Sequence, residues 1–241
     1  MSSEKLSSEK MSSEKNSAII VAAGIGKRMG ADIPKQFLEL DNKPILTYTL
    51  EAFELSEDID EIIIVTNEEN IPYVRDTAAL PFKKVKAVVA GGSERQYSVA
   101  NGLKAVSKDT ETVLIHDGVR PFISRECIHN IIEETKVHGC CVLGMPVKDT
   151  VKICSQDGFV ETTPKRELLW QAQTPQAFRY DIIVKAHKKA QEDDFLGTDD
   201  SMLTERLGCK TKMVTGSYEN IKITTPEDLD IGLKILEKRN K

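Results

Sequence analysis

The sequence predicts an α/β fold in which a doubly wound, mostly parallel sheet carries a projecting antiparallel β-arm. Short β-branched runs, such as Glu61–Thr66 (EIIIVT), alternate with amphipathic helical segments from Ala18 onward, and this alternation is typical of βαβ units. It is interrupted at about residues 146–175, where Gln156-Asp157-Gly158 separates two apolar segments and indicates a hairpin. A chain of 241 residues suits a single domain of this Rossmann-like kind.

The N-terminal segment differs in composition from the rest of the chain. It repeats a five-residue unit (MSSEK, LSSEK, MSSEK) with a single apolar residue in each, and a period of five does not match the period of a helix. We therefore expect residues 1–16 to be a disordered low-complexity tail and residues 17–241 to form a single domain.

The other elements are identified by their apolar patterns and end signals. Pro44 occupies the first turn of a helix over Ile45–Leu55, whose apolar residues share one face. Ser93 with Gln96 predicts a capping box for a helix that ends at Val106. Further strands are predicted over Val85–Ala90, Thr112–His116, Cys140–Met145 and Thr211–Val214. Further helices are predicted after Ser124 to His138, over Tyr180–Glu192, over Asp199–Leu207 with Thr198 as its cap, and from Pro226 to about Lys238.

Composition and charge exclude several classes of protein. The net charge of −5 argues against a nucleic-acid-binding protein, because such domains usually carry an excess of Lys and Arg. No apolar run approaches the ~20 residues of a membrane span and no signal peptide is visible, so we expect no association with a membrane. The five cysteines form no C-x-x-C pair and fit reduced thiols, which predicts a cytoplasmic protein.

A glycine turn after the first strand indicates a phosphate site. Ala22-Ala23-Gly24-Ile25-Gly26 lets a ligand approach the backbone amides. Three cations that suit a polyphosphate follow the turn, namely Lys27, Arg28 and Lys35. A dinucleotide fingerprint fails because Met29 replaces the third glycine, and a Walker motif fails because Arg28 follows Gly26-Lys27. On this loop alone, a turn with solvated cations stays an open alternative.

Three turns are expected to meet at one edge of the sheet. The turns at Gly24, at Gly91-Gly92 and at Asp117-Gly118 each follow a predicted strand. In an open α/β sheet, ligands bind outside the carboxyl ends of the strands. The sequence therefore predicts one shared ligand site at this edge.

Seven sequence blocks carry a more specific signal. They are AAGIGKRM followed by PKQF, GGSERQYSV, HDGVRPF, DTVK, RELLWQAQTPQAF, TDD and NIKITTPEDL, and they extend from Ala18 to the C-terminal region. In content and order they resemble the sugar-phosphate nucleotidyltransferases and, within them, the 2-C-methyl-D-erythritol 4-phosphate cytidylyltransferase family. The resemblance implies one nucleotidyltransferase domain that transfers CMP from CTP to this sugar phosphate and releases pyrophosphate, a step of non-mevalonate isoprenoid biosynthesis.

The resemblance also implies roles for individual residues. Catalysis is assigned to Arg28, Lys35, Arg166 and Lys222, nucleotide binding to Ala22, Ala23, Gly24, Gly26, Gly92, Ser98, Asp117 and Gly118, and acceptor binding to Thr150, Arg166, Thr174, Thr198 and Lys222. Arg28 and Lys35 are expected to stabilise charge in the transition state. Mg²⁺ is expected with the nucleotide, and Asp117 is the expected protein ligand. His116 is interpreted as a packing or orienting histidine.

The segment that interrupts the alternation predicts a dimerisation arm. Val147–Ile153 and Phe159–Thr163 flank the hairpin turn, and Trp170, the only tryptophan, lies just beyond them. An arm that projects from the sheet must cover its apolar side chains, so we expect a homodimer, which the resemblance also implies. Arg166 would then act in the neighbouring subunit's site. An arm folded onto its own subunit is the alternative.

One block departs from the family pattern and leaves the acceptor open. The usual D-A-A-R-P is Asp117-Gly118-Val119-Arg120-Pro121 here, a form that also resembles ribitol-5-phosphate cytidylyltransferases. The LLWQAQTPQAF part of a later block favours methylerythritol phosphate, and ribitol 5-phosphate is the alternative acceptor. A non-catalytic nucleotide sensor and a nicotinamide oxidoreductase are further alternatives, and the incomplete dinucleotide fingerprint disfavours the second.

Overall fold

The computed structural model describes residues 14–24 and 33–239. Within these residues the strands are β1 (Lys15–Ala22), β2 (Glu39–Leu40), β3 (Lys43–Pro44), β4 (Glu61–Thr66), β5 (Val85–Ala90), β6 (Thr110–Asp117), β7 (Cys140–Pro146), β8 (Ile153–Cys154), β9 (Val160–Thr162), β10 (Trp170–Arg179) and β11 (Lys212–Thr215). The helices are α1 (Ile45–Glu54), α2 (Ile71–Tyr73), α3 (Arg95–Ala105), α4 (Arg125–His138), α5 (Tyr180–Glu192), α6 (Asp200–Arg206) and α7 (Pro226–Arg239). Short 3₁₀ segments cover Lys35–Phe37, Glu68–Asn70 and Arg166–Leu168, and a π-helical turn covers Val74–Ala78.

The main sheet contains seven strands in the order β11-β7-β10-β6-β1-β4-β5. β1 pairs in parallel with β4 and β6, β4 pairs in parallel with β5, and β7 pairs in parallel with β11. Within this sheet only β10 runs antiparallel to its neighbours, between β6 and β7. The predicted α/β class with a mostly parallel sheet is therefore confirmed. Two short antiparallel hairpins, β2–β3 and β8–β9, accompany the sheet.

Helices cover both faces of the sheet, which explains the continuous apolar runs of the central strands. Successive residues of β1 point to opposite faces. Ile20 lies in one core cluster with Leu50 of α1 and Ile131 of α4. Its neighbour Ile19 lies in a second cluster with Val99 of α3 and residues of α5. Because both clusters are buried, β1 is packed on both faces, and this packing fixes the position of its carboxyl end.

The predicted cap of α4 is confirmed, two other predicted caps are wrong, and Pro44 is the N-cap of α1 and not a residue of its first turn. Ser124 caps α4 by accepting a hydrogen bond from the amide of Cys127, and Gly139, with a φ of 78°, ends that helix. The capping box at Ser93 does not form, because Glu94 is the N-cap of α3 and no side chain caps it. Asp199, and not Thr198, caps α6 by accepting from the amide of Met202 at 2.9 Å.

The interrupting segment forms a smaller hairpin than predicted. β8 and β9 pair over Ile153–Cys154 and Val160–Thr162, so the predicted strands over 147–153 and 159–163 are too long. Residues 170–175, assigned to the arm from the sequence, instead begin β10, which joins the main sheet beside β7. We therefore define the arm as residues 147–169. Its exposed side chains include Phe159, which is 76% exposed.

The structure also bears on the predictions for the N-terminal tail, the cysteines and membrane-spanning segments. β1 begins at Lys15, so residues 15 and 16 of the predicted tail belong to the sheet, and Glu14 directly precedes it. Residues 1–13 of the predicted tail lie outside the described residues. All five cysteines are free thiols, and Cys127, Cys140 and Cys141 are buried. Among the helices of the described residues, none combines the length and the apolar character needed to cross a bilayer.

Candidate active site

A cleft of about 460 Å³ opens at the carboxyl ends of the central strands. This is the edge where ligands bind in open α/β sheets. The cleft brings together the ends of β1 and β6, the loops that follow β4 and β5, and the segment before α7. Its lining consists of Val21, Ala22, Ala23, Gly24, Lys35, Gln36, Asn67, Gly92, Ser93, Glu94, Arg95, Ser98, Asp117, Val119 and Lys222.

The cleft contains most of the residues that the sequence predicted for the nucleotide. The predicted residues in its lining are Ala22, Ala23, Gly24, Lys35, Gly92, Ser98, Asp117 and Lys222. The predicted residues outside the lining are Gly118, Thr150, Arg166, Thr174 and Thr198. Gly26 and Arg28 lie outside the described residues, as does Lys27. The three turns expected at one edge of the sheet therefore do meet there.

The floor of the cleft is a buried carboxylate surrounded by cations. Asp117, the last residue of β6, places Oδ1 3.2 Å from Nε of Arg95 and Oδ2 2.8 Å from Nζ of Lys222. Nε of Arg120 lies 3.6 Å from the same Oδ2. Burial raises the pKa of Asp117, but the three cations outweigh burial and hold this pKa well below its usual value. We call these four residues the Asp117 cluster, and its carboxylate is ionised at neutral pH.

Arg95 is a site residue that the sequence reasoning missed. It begins α3, and its Nη1 donates to Oδ2 of Asp200 at 2.6 Å while its Nε donates to Asp117. Burial lowers the pKa of Arg95, and the two carboxylates more than reverse this effect. The available signal was its place in the GGSERQYSV block, directly after a glycine turn at the carboxyl end of a strand. Its side chain is fixed at both ends and forms part of the cleft wall.

Lys222 reaches the cluster from the segment that precedes α7. The segment is anchored by Asn220, which is fully buried and donates from Nδ2 to the carbonyl of Thr174 at 2.9 Å. Arg120 donates from Nη1 to the carbonyl of Asn220 at 2.9 Å. The side chain of Lys222 keeps 36% of its surface exposed. Its ammonium group is therefore both paired with Asp117 and accessible to a ligand in the cleft.

The glycine wall of the cleft is shaped by close backbone packing. Gly91 donates to the carbonyl of Thr66 at 2.7 Å, and a Cβ at this position would lie 2.7 Å from Cβ of Ala23. A Cβ at Gly92 would collide with Tyr97. The amide of Gly92 donates to Oγ of Ser98 at 3.0 Å, so this hydroxyl fixes the turn. Only glycine fits both positions, and the wall is open to a flat ligand.

The opposite wall is held by a residue that the sequence did not single out. Nε2 of Gln36 donates to the carbonyl of Ala22 at 2.6 Å and is fully buried. It follows Lys35 in a 3₁₀ turn after Pro34. The alkyl chain of Lys35 passes Gly24, since a Cβ on Gly24 would be 3.8 Å from Cε of Lys35. Gln36 thus ties this turn to β1 and places Lys35 beside the glycine turn.

The predicted residues outside the lining have other contacts. Gly118 donates to the carbonyl of Val21 at 2.9 Å and packs against Leu46 of α1. Thr174 is buried beneath the floor, where its hydroxyl accepts from the amide of Asp117 at 3.0 Å. Thr198 is directed at the sulfur of Met202. Thr150 is exposed at the base of the arm.

Arg166 lies on the arm and away from the cleft of its own chain. It begins the 3₁₀ turn Arg166–Leu168, is exposed, and donates from Nη1 to the carbonyl of Lys148 at 3.0 Å. The described part of the chain therefore does not bring Arg166 and Lys222 into one site within a single subunit.

A comparison with models of known protein families identifies the family of the chain. The family model described as IspD, 2-C-methyl-D-erythritol 4-phosphate cytidylyltransferase, matches residues 17–238. The chain belongs to this family. It is 52% identical over 224 residues to a 2-C-methyl-D-erythritol 4-phosphate cytidylyltransferase of Clostridium botulinum, covering 92% of this chain and 98% of the relative. The relative from Caldanaerobacter subterraneus is 48% identical, with 92% and 99% covered.

Solved structures show the same likeness. A crystal structure of 4-diphosphocytidyl-2C-methyl-D-erythritol synthase from Anaerococcus prevotii has a TM-score of 0.84 at 36% identity, covering 93% of this chain and 96% of that chain. The Francisella tularensis 2-C-methyl-D-erythritol 4-phosphate cytidylyltransferase has a TM-score of 0.77 at 31% identity, with 91% and 98% covered.

Family membership fixes the reaction. The protein is a cytidylyltransferase that converts CTP and 2-C-methyl-D-erythritol 4-phosphate to 4-diphosphocytidyl-2-C-methyl-D-erythritol and pyrophosphate, in the non-mevalonate pathway. The reaction predicted from the seven blocks is confirmed. The ribitol phosphate, sensor and oxidoreductase alternatives are not the function that the family supports.

Proposed function

We propose that the cleft around the Asp117 cluster is where this cytidylyltransferase brings its two anionic substrates together. The observation that carries the proposal is the convergence of Lys35, Arg95 and Lys222 on one cavity of about 460 Å³. CTP and the sugar phosphate repel each other, so their approach requires fixed positive charge between them.

The two walls suit the parts of the nucleotide. Ala22, Ala23, Gly92 and Ser98 line the part of the cleft that we assign to the cytosine and ribose. Gly24 also lines the cleft, and the sequence that follows it, with Gly26 and Arg28, is assigned to the triphosphate. Lys35, with Arg28, neutralises charge that grows on the α-phosphate and on the leaving pyrophosphate. Gly118 contributes by packing, since it lets β6 approach β1 closely.

The chemical step is an in-line displacement. An oxygen of the acceptor phosphate attacks the α-phosphorus of CTP, a new P–O bond forms, and the bond from the α-phosphorus to the bridging oxygen breaks. Pyrophosphate leaves with the electron pair of that bond. No protein nucleophile is required, so positioning and charge stabilisation are what the site must supply. Lys222 is placed to hold the acceptor phosphate. Thr150 and Thr198 are proposed as further acceptor contacts, and Thr174 would act on the acceptor from beneath the floor through Asp117.

Mg²⁺ fits the site as a metal that the nucleotide brings. The described residues contain no cluster of three or more Asp, Glu, His or Cys side chains suited to a metal. Mg²⁺ nevertheless needs only one or two protein carboxylates when phosphate oxygens and waters complete its shell. Asp117 would hold it, because it is a carboxylate in the lining of the cleft and is ionised at neutral pH. The bound ion would supply further neutralisation of the triphosphate.

The arm is proposed to complete the site in a homodimer. Phe159 and Val160 are 76% and 58% exposed on β9 and its turn, and Leu168 beside Arg166 is 73% exposed. Large apolar side chains exposed on one projecting segment are typical of a protein interface. A second copy of the chain that covers it would carry Arg166 toward the cleft of its neighbour, where the arginine would bind the acceptor phosphate.

The compartment follows from the thiols. Five free cysteines, with no disulfide among them, support a reducing compartment and hence a cytoplasmic enzyme.

A subunit-mixing assay tests the site and the dimer together. Arg166→Ala and Lys222→Ala chains are each expected to have low activity as homodimers when the acceptor concentration is well below the wild-type KM, measured as pyrophosphate release from CTP and 2-C-methyl-D-erythritol 4-phosphate. In mixed dimers one of the two sites combines the intact residues of both chains, so activity returns. Ribitol 5-phosphate in place of the acceptor is the substrate control. No recovery on mixing would show that Arg166 acts within its own subunit or not at all.

A further inference from the structure

His116 is a buried histidine that the mechanism above does not use. It precedes Asp117 at the end of β6 and has no exposed surface. Its ring nevertheless has a polar partner at each nitrogen: Nε2 is 3.1 Å from the carbonyl oxygen of Arg120, and Nδ1 is 3.1 Å from Oγ1 of Thr174. The ring also packs against Phe53, with centroids 5.0 Å apart.

The partners fix the direction of each hydrogen bond. The carbonyl of Arg120 can only accept, so Nε2 carries the proton. Oγ1 of Thr174 accepts from the amide of Asp117 at 3.0 Å, which leaves its own proton for Nδ1. Nδ1 accepts that proton, and the bond from Nε2 to the carbonyl of Arg120 anchors the ring. The result is a continuous relay from Arg120 through His116 and Thr174 to Asp117.

The relay spans the turn that carries two members of the Asp117 cluster. Within this turn the amide of Arg120 donates to the carbonyl of Asp117 at 3.0 Å. The relay adds a second connection between the same two residues from beneath the floor of the cleft. The position of the Asp117 carboxylate in turn decides where the ammonium group of Lys222 rests, 2.8 Å away.

We propose that His116 is a positioning residue for acceptor binding: its ring holds Asp117 through Thr174 and thereby sets the position of Lys222, while its bond to the carbonyl of Arg120 anchors the ring. The proposal rests on the acceptor site proposed above. It assigns to Thr174 a role beneath the floor of the cleft, since the proton of its hydroxyl is donated to His116.

Two neutral amides test the two ends of the ring separately. In His116→Asn the amide oxygen replaces Nδ1 and keeps the bond to Thr174, whereas His116→Gln places its amide near Nε2 and loses that bond. We expect the acceptor KM of the Asn variant to stay within about threefold of wild type and that of the Gln variant to rise about tenfold, the effect of one buried hydrogen bond. The KM for CTP should rise less than the acceptor KM in the Gln variant, because Gly92 and Ser98 are untouched and Asp117 would meet CTP only through the proposed Mg²⁺.

Stability separates positioning from packing. Asn leaves the larger cavity beside Phe53, so its melting temperature should be lower than that of Gln. A packing role predicts that activity follows stability, with Gln the better enzyme. A positioning role predicts that the Asn variant, although less stable, has the lower acceptor KM. An acceptor KM of the Gln variant equal to or lower than that of the Asn variant would overturn the proposal.

Thr174 gives a second route to the same answer. Thr174→Val should raise the acceptor KM about tenfold and Thr174→Ser should not, because serine keeps the hydroxyl. The double variant His116→Gln/Thr174→Val should be no worse than the poorer single variant, since both break one relay. Independent, multiplied effects would contradict the relay. If Asp117→Asn leaves the acceptor KM unchanged, the proposed acceptor site itself fails, whereas a raised KM there with a normal KM in His116→Gln overturns the relay alone.

Discussion

The floor of the cleft and the arm differ in how far their functional side chains are buried and paired within the subunit. At the floor, Asp117 is buried and all its cationic partners come from the same chain. On the arm, Arg166 and Phe159 are exposed, and a second subunit is proposed to cover them. A buried charge must be compensated in advance, whereas an exposed residue costs little until a partner arrives. The first region can therefore be tested in a single chain and the second only in an assembly.

Removing the central charge of the floor should have the largest effect. Asp117→Asn leaves Arg95, Arg120 and Lys222 together without their counter-charge, and breaking a buried ion pair costs ~3–5 kcal/mol of the free energy of unfolding. Urea unfolding monitored by circular dichroism measures this loss, and pyrophosphate release should become slower, with a raised acceptor KM. A stable and active Asn variant would show that the floor does not depend on this carboxylate.

The wall lysine should affect the rate and leave folding intact. Lys35→Ala removes one donor that stabilises transition-state charge, so kcat should fall ~10²–10³-fold. The melting temperature should stay close to that of wild type. Lys188→Ala, whose side chain is 78% exposed on α5, is the matched control and should leave kcat unchanged. Near-normal turnover by Lys35→Ala would remove Lys35 from the mechanism.

Sequence patterns predicted the central strands well because each is buried on both faces. Ile19 and Ile20 face different helices, so β1 reads as an unbroken apolar run. β10 was missed because Trp170–Arg179 contains Pro175 and polar Gln residues and lacks β-branched runs, and its pairing with β7 shifts register between Ala172 and Gln176. Only tertiary pairing with β6 and β7 makes this segment a strand.

The candidate site was also only partly predictable from the sequence. Gly92 and Asp117 follow strands, so their meeting at one edge was predictable from topology. Arg95 was not, because its partners Asp117 and Asp200 lie 22 and 105 residues away in sequence. Thr174 was assigned to the acceptor from family resemblance, and its burial against His116 is visible only in the structure. The sequence locates turns, and long-range contacts decide what each side chain does there.

The floor should also be the pH-sensitive region. The pKa of His116 is about 4 when folded and 6.5 in an unperturbed chain, so the unfolded state binds the extra proton between these values. The free energy of unfolding should therefore fall as pH drops from 6.5 to about 4, by up to ~3 kcal/mol from this group. His116→Asn should flatten the profile in this window. An unchanged slope would mean that the ring is not held neutral.

An apolar substitution on the arm should weaken assembly without unfolding the subunit. Phe159→Ser removes an aromatic side chain from the proposed interface, and such residues change dissociation constants by ~10–100-fold. Sedimentation velocity over a concentration series measures the shift toward monomer. Val137→Ser on α4, which is also 76% exposed, is the control that should leave the dimer intact. Equal behaviour of the two variants would argue against the arm as the interface.

Arg166→Ala on the arm should have the smallest effect on folding, and its effect on activity should depend on a second subunit. Arg166 donates only to the carbonyl of Lys148 among its described contacts, and exposed groups of this kind contribute little to stability. Arg166→Ala should shift the melting temperature by less than about 2 °C, while the acceptor KM rises about tenfold because a charge-assisted phosphate contact is lost. Lys165→Ala, the neighbouring cation on the same arm, should change neither. Arg166 does not line the cleft of its own subunit. A raised acceptor KM in a variant that folds normally would therefore support an arm that is exchanged between subunits. An unchanged acceptor KM would mean that Lys222 holds the acceptor phosphate without the arm.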